Sequence, residues 1–128
     1  MTKIIETSLA PSPIGPYSQA VQAGNFLFLS GQIAMDAKTG DLIVADIKQE
    51  TALVLKNIAY VLEKAGYTFA NIVKTSIFLS DMKHFTIVNE LYGACFNGNF
   101  PARETIAVLG LPKNANVEIS ITAYKETG

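Results

Sequence analysis

The chain has one cysteine and one histidine among its 128 residues, and only 10 basic and 11 acidic side chains, for a net charge of −1. Each scarcity excludes something. A single cysteine permits no internal disulfide, which fits a reducing compartment. A lone histidine has no partner for a His–His acid/base pair. With one cysteine beside it there is no recognisable metal set, so no metal or other cofactor is expected. A near-neutral chain lacks the basic excess of proteins that work by neutralising phosphates, so nucleic acid is not an expected partner. No N-terminal stretch has the apolar core of a signal peptide, and no run is long enough to span a bilayer. A cytoplasmic location without a membrane partner is expected.

What is abundant is apolar: 49% of the residues are hydrophobic and 16% are charged. The length corresponds to one domain, residues 1–128, able to bury about two thirds of the surface its unfolded form exposes. Much apolar surface with few charges implies that part of it is covered by other subunits.

Along the chain, Lys3 to Leu9 alternates weakly and reads as a first strand. Ala10 to Pro16 holds three prolines and a glycine, hence an irregular, stiff loop closed by Tyr17, an aromatic anchor with a hydrogen-bonding tip. Ser18–Gln22 and Phe26–Leu29 read as a hairpin across Gly24-Asn25. Ser30-Gly31 ends the second strand, either as a bulge or as a backbone amide offered to an anion. A polar turn over Asp36–Gly40 leads to a short Leu42–Val44 strand. From Asp46, a plausible N-cap, apolar residues recur at steps of three and four from Ile47 to Ala65, and Gly66 is a plausible stop. Lys48, Glu50, Asn57 and Lys64 fall on that helix's outer face. Ile72–Leu79 is a central strand. Ser80-Asp81 caps a second helix whose apolar stripe is Phe85, Val88, Tyr92, Cys95 and Phe96, with His84 solvated in its first turn. Cys95, in that stripe, acts as a small hydrophobe.

The last quarter carries the most information. A strand from Arg103 to Leu109, a connection with Gly110, Pro112 and Asn114, and a strand from Val117 to Tyr124 are expected. Alternation puts Val117, Ile119, Ile121 and Ala123 on one face, with Glu118, Ser120, Thr122 and Tyr124 on the other. Arg103, Thr105 and Ala107 share a face, opposite Ile106 and Val108. An arginine and a glutamate on such a surface can hold an anionic substrate and a water, or simply pair with each other in solvent. The element order β-β-β-β-α-β-α-β-β gives an α+β domain with two helices on one sheet face, and leaves a face carrying Ala107, Ser120 and Thr122 in need of a cover.

Four blocks, in order and covering essentially the whole chain, resemble the Rid family, also called YjgF or endoribonuclease L-PSP. They are Ile14-Gly15-Pro16-Tyr17-Ser18-Gln19-Ala20, Leu29-Ser30-Gly31-Gln32-Ile33, Val88-Asn89-Glu90-Leu91-Tyr92, and Pro101-Ala102-Arg103 with Leu111-Pro112-Lys113 and Val117-Glu118-Ile119. The resemblance implies a chorismate-mutase-like fold assembled as a homotrimer around a central barrel, with ligand clefts between subunits. It further implies hydrolysis of 2-aminoacrylate, 2-iminopropanoate and 2-iminobutanoate to 2-oxo acid and ammonia. Carried over by position, Arg103 binds the substrate carboxylate and Glu118 activates water. Gly31 and Thr105 supply backbone hydrogen bonds, Tyr17 and Asn89 position substrate or water, and Ser30 completes the cleft. Three positions depart from the family pattern: Thr105 stands where cysteine is common, Glu104 where a small residue is usual, and Ala34 where proline commonly follows Gln-Ile. Glu104 is expected on the face opposite Arg103, with a partner the sequence does not identify. The rival readings are a small-carboxylate-binding regulatory protein that retains the cleft without turnover and, with little physical support from the charge, a ribonuclease.

Overall fold

Alternating and helical periodicities sort the chain into a six-stranded mixed sheet with two helices laid across one face. The computed structural model describes residues 2–126. The strands are β1 (Thr2–Ile5), β2 (Ala20–Ala23), β3 (Phe26–Gln32), β4 (Ile72–Leu79), β5 (Ala102–Ala107) and β6 (Val117–Tyr124). The helices are α1 (Ile47–Ala65) and α2 (Phe85–Gly93). The order across the sheet is β1-β2-β3-β6-β4-β5, and all neighbours are antiparallel except β4 with β5. This is the expected α+β class.

Local chemistry sets the boundaries of α1. Asp46 accepts the Gln49 N–H at 2.7 Å, and Gly66 takes φ 81°, the left-handed stop that a side chain would strain. Its Val54, Ile58, Val61 and Leu62 pack on Leu27, Ile77, Ile119 and Ile121 of the sheet. Each such buried aliphatic contributes about 1.5–3 kcal/mol.

Several expectations are corrected. The first strand ends at Ile5, and Ser8 and Leu9 turn instead of extending. Leu42–Val44 forms no strand; Leu42 makes only an isolated bridge to Met35. The second helix begins as a 3-10 turn, Met82–His84, capped by Asp81, so His84 is half-buried. That helix stops at Gly93, leaving Cys95 and Phe96 beyond it, where Phe96 packs against Tyr92 with ring centroids 4.9 Å apart. Glu50 and Asn57 are not on an outer face of α1: they are 0% and 1% exposed. Both reach buried backbone groups, which a helical wheel cannot see. Asn57 donates to the Ile33 and Met35 carbonyls at 3.2 and 3.1 Å.

The largest correction concerns the last two strands, which are not neighbours. β4 lies between them, parallel to β5 and antiparallel to β6. Arg103 pairs with Thr75, which is fully buried under the helices, so Arg103, Thr105 and Ala107 face the helix side. Ser120 and Thr122 face the other way. That outer face carries Phe26, Phe28 and Ile106, each 43–47% exposed, and Phe26 packs against Tyr124 at 4.9 Å. Glu104 also lies there, accepting hydrogen bonds from Lys74 and Ser76. Those donors hold its carboxyl below the usual range.

Candidate active site

Glu118 is the second residue of β6, and its side chain leaves the face opposite the helices because Val117 and Ile119 point into the core. Beside it the β3–β6 register slips: Leu29 pairs with Ile121 but Gln32 with Ile119. The slip is a bulge at Ser30 and Gly31. Gly31 lies directly under the carboxylate, where an added Cβ would stand 2.6 Å from Glu118 Oε2 and 2.8 Å from its carboxyl carbon. Only glycine leaves that room. Burial pushes the Glu118 carboxyl above its ordinary value, because removal from water disfavours the charged form.

Glu118, Gly31, Ser30, Tyr17, Ile14 and Pro112 line part of a cavity of about 400 Å³. The proline-rich loop over it is held by buried Gln19, which donates to Thr7 O at 3.0 Å and Pro11 O at 2.9 Å and accepts the Thr7 N–H at 2.7 Å. Tyr17, 48% exposed, accepts the Ile14 N–H at 3.3 Å and keeps its ring at the mouth. The Ser30 hydroxyl donates to Ser18 O at 2.5 Å, so in this chain it secures the loop.

Arg103 occupies a second cavity, of about 460 Å³, with Asn89, Tyr92, Phe100 and Pro101. Its guanidinium donates to Asn89 Oδ1 at 2.8 Å and lies 5.2 Å from the Tyr92 ring and 5.8 Å from the Phe85 ring. These aromatic faces orient a planar cation while leaving it charged. Tyr92 is itself fixed by donating to Thr75 Oγ1 at 2.9 Å. Among the described residues the one ion pair is Lys74–Glu104, so neither Arg103 nor Glu118 is neutralised by another of them. The solvated Arg–Glu pair weighed from the sequence is therefore absent among those residues. Thr105 lines neither cavity; it follows Arg103 on the same face, its Oγ1 buried and without a hydrogen-bond partner.

One chain thus divides the expected site in two. Tyr17, Ser30, Gly31 and Glu118 gather in one half; Asn89 and Arg103 gather in the other, with Thr105 beside them along β5. Sequence reasoning missed Gln19, and read Phe85 and Tyr92 only as core. The available signal was spacing, since Phe85, Asn89 and Tyr92 fall on one helical face.

Comparison with known proteins identifies the family. The sequence profile of the family described as Endoribonuclease L-PSP matches residues 7–125. A RutC family protein of Pyrococcus horikoshii is 48% identical over 126 residues, covering 98% of this chain and 100% of that one. The human 2-iminobutanoate/2-iminopropanoate deaminase is 43% identical over 123 residues, covering 96% of this chain and 90% of its own. The crystal structure of a Rid family protein from Yersinia pestis superposes with a TM-score of 0.94 at 48% identity, covering 98% of this chain and 100% of that one. With its fold and nearly its whole length in common with these proteins, the chain belongs to the Rid family, known also as the YjgF or endoribonuclease L-PSP family.

Proposed function

We propose that this protein hydrolyses small 2-imino acids, of the 2-iminopropanoate and 2-iminobutanoate class, and their enamine tautomers to 2-oxo acids and ammonia. The clefts lie between copies of the chain in a homotrimer. The observation that carries this reading is a guanidinium on one sheet face and a carboxylate on the other, neither with an ion-pair partner among the described residues. Each half lacks what the other holds, and a second copy can present its Glu118 half to the first copy's Arg103. Trimer formation would also cover Phe26, Phe28 and Ile106. Family membership and the 43% identity to the human deaminase support the same chemistry.

Arg103 binds the substrate carboxylate through two parallel N–H donors. Thr105, two residues on along the same face of β5, offers a backbone hydrogen bond. Water adds to the C=N carbon, already electrophilic as the iminium. Glu118 accepts a proton from that water as the C–O bond forms. The resulting carbinolamine breaks its C–N bond, both protons of the water end on nitrogen, and ammonium and the 2-oxo acid leave. Glu118 begins and ends ionised. Burial raises its pKa, which makes it a better proton acceptor than a solvated carboxylate.

The test couples a dehydratase that generates iminopropanoate to pyruvate release, with and without this protein, and measures 2-oxobutanoate binding by calorimetry. Accelerated release together with binding supports the deaminase. Binding without acceleration would instead establish a regulatory carboxylate-binding protein.

A further inference from the structure

We infer that Glu50 is a positioning residue for Glu118, acting through Asn116. The inference rests on the reading above, in which Glu118 is the base. Glu50 lies in the first turn of α1, 0% exposed, and no cation pairs with it among the described residues. A bare buried carboxylate is costly, so its three donors matter. Oε2 accepts the Asn116 N–H at 2.7 Å and the Val117 N–H at 3.3 Å, and Oε1 accepts from Asn116 Nδ2 at 2.9 Å. From the other side Ser80 Oγ donates to Asn116 Oδ1 at 2.9 Å, and the Ser80 N–H to Asn116 O at 3.0 Å. Asn116 is therefore gripped through its backbone and side chain at once, two residues before Glu118.

The grip sits where the chain is least constrained by the sheet. The preceding turn runs through Lys113 and Asn114 at φ 56° and 59°, and the ladder begins only at the Leu79–Val117 pair. Glu118 follows immediately, on the face opposite the clamp. On one side its carboxylate is packed against the Gly31 backbone at a distance that leaves no room for a Cβ. A small shift of the strand entry moves the base directly, and sub-ångström placement is what proton transfer requires.

The test uses Glu50→Gln, which keeps size but turns Nε2 toward Asn116 Nδ2, donor against donor. The double variant Glu50→Gln/Asn116→Asp restores a donor–acceptor match with the net charge unchanged. The intact oligomer is assayed for kcat and KM on iminopropanoate, for calorimetric 2-oxobutanoate binding, and for Tm. Expected for Glu50→Gln is a fall in kcat of about 10- to 100-fold with KM and analogue binding close to wild type. The double variant should recover most of that kcat. A folded Glu50→Gln protein with wild-type kcat overturns the inference, as does a double variant that regains Tm but not kcat. If Glu50→Gln does not fold, Asn116→Ala decides: unchanged kcat overturns the role, and reduced kcat at unchanged KM supports it. Wild type is assayed alongside. Its inactivity would sink the deaminase reading and this inference with it, whereas an active wild type beside an indifferent Glu50→Gln sinks only the inference.

Discussion

Arg103 and Glu118 project from opposite faces of one sheet, on strands that flank β4: Arg103 beside Thr75, Glu118 beside Phe78. No rotamer change lets one chain direct both groups at a three- or four-carbon acid. If the two act on one molecule, they come from two chains.

That relationship makes a complementation experiment decisive. Arg103→Ala and Glu118→Gln should each be inactive alone. Co-refolded in equal amounts, they should regain up to about a quarter of wild-type activity, since random assembly pairs an intact Arg103 with an intact Glu118 in that share of interfaces. No recovery, with mixed oligomers verified by mass spectrometry, would rule out a site shared between chains.

The two residues should also fail differently. Arg103→Ala should lose both turnover and 2-oxobutanoate binding. Arg103→Lys should be nearly as poor, because an ammonium offers neither the bidentate fork nor the flat face that rests on Tyr92 and Phe85. Glu118→Gln should keep analogue binding while kcat drops about 10²- to 10⁴-fold. Normal turnover by Glu118→Gln would remove that residue from the mechanism.

Gly31→Ala probes the close approach under the base. The added methyl must displace the Glu118 carboxylate, whose nearest oxygen is 2.6 Å from the Cβ position. Since the moving group is a side-chain end, the fold should survive, with Tm little changed and kcat down about 10-fold or more. Wild-type kcat for Gly31→Ala would show that the carboxylate has another productive position.

Acidity should act on Glu118 in a defined direction. Burial raises its folded-state pKa above the unfolded reference of 4.5, so the ionised form costs stability in the folded state. This group favours folding most below about pH 4.5 and loses that contribution as pH rises through the folded value. Glu118→Gln should therefore unfold at a higher Tm than wild type at pH 7, with the gap closing as pH falls. Turnover should decline over the same acid range as the base is protonated. A Tm gap independent of pH would contradict the assignment.

Asn57 provides a stability test away from the chemistry. Its amide satisfies the Ile33 and Met35 carbonyls at the rim of the Glu118 cavity. Asn57→Ala strips the carbonyls of that donor and should cost about 1–3 kcal/mol in urea unfolding. A loss near zero would mean that water replaces the amide.

What the sequence determined by itself was everything carried by local periodicity and by residue identity. The helix from Asp46 to Gly66 was legible because its cap, its apolar spacing and its stop all act within a few residues. The hairpin about Gly24 and the alternation of β6 were legible for the same reason. The site residues were legible as chemistry: a guanidinium, a carboxylate and a glycine in family blocks. Only the tertiary structure decided where they stand. Alternation tells which residues of one strand share a face, but it cannot say which strand lies next, and the insertion of β4 between β5 and β6 put Arg103 and Glu118 on opposite sides of the sheet. Nor could a helical wheel distinguish Glu50 and Asn57 from solvated polar residues. Their burial depends on backbone groups at Ile33, Met35, Asn116 and Val117, at least 22 residues away in the chain. Long-range pairing of this kind leaves no periodic trace, because hydrogen-bond satisfaction depends on what folds against a side chain and not on its neighbours in sequence.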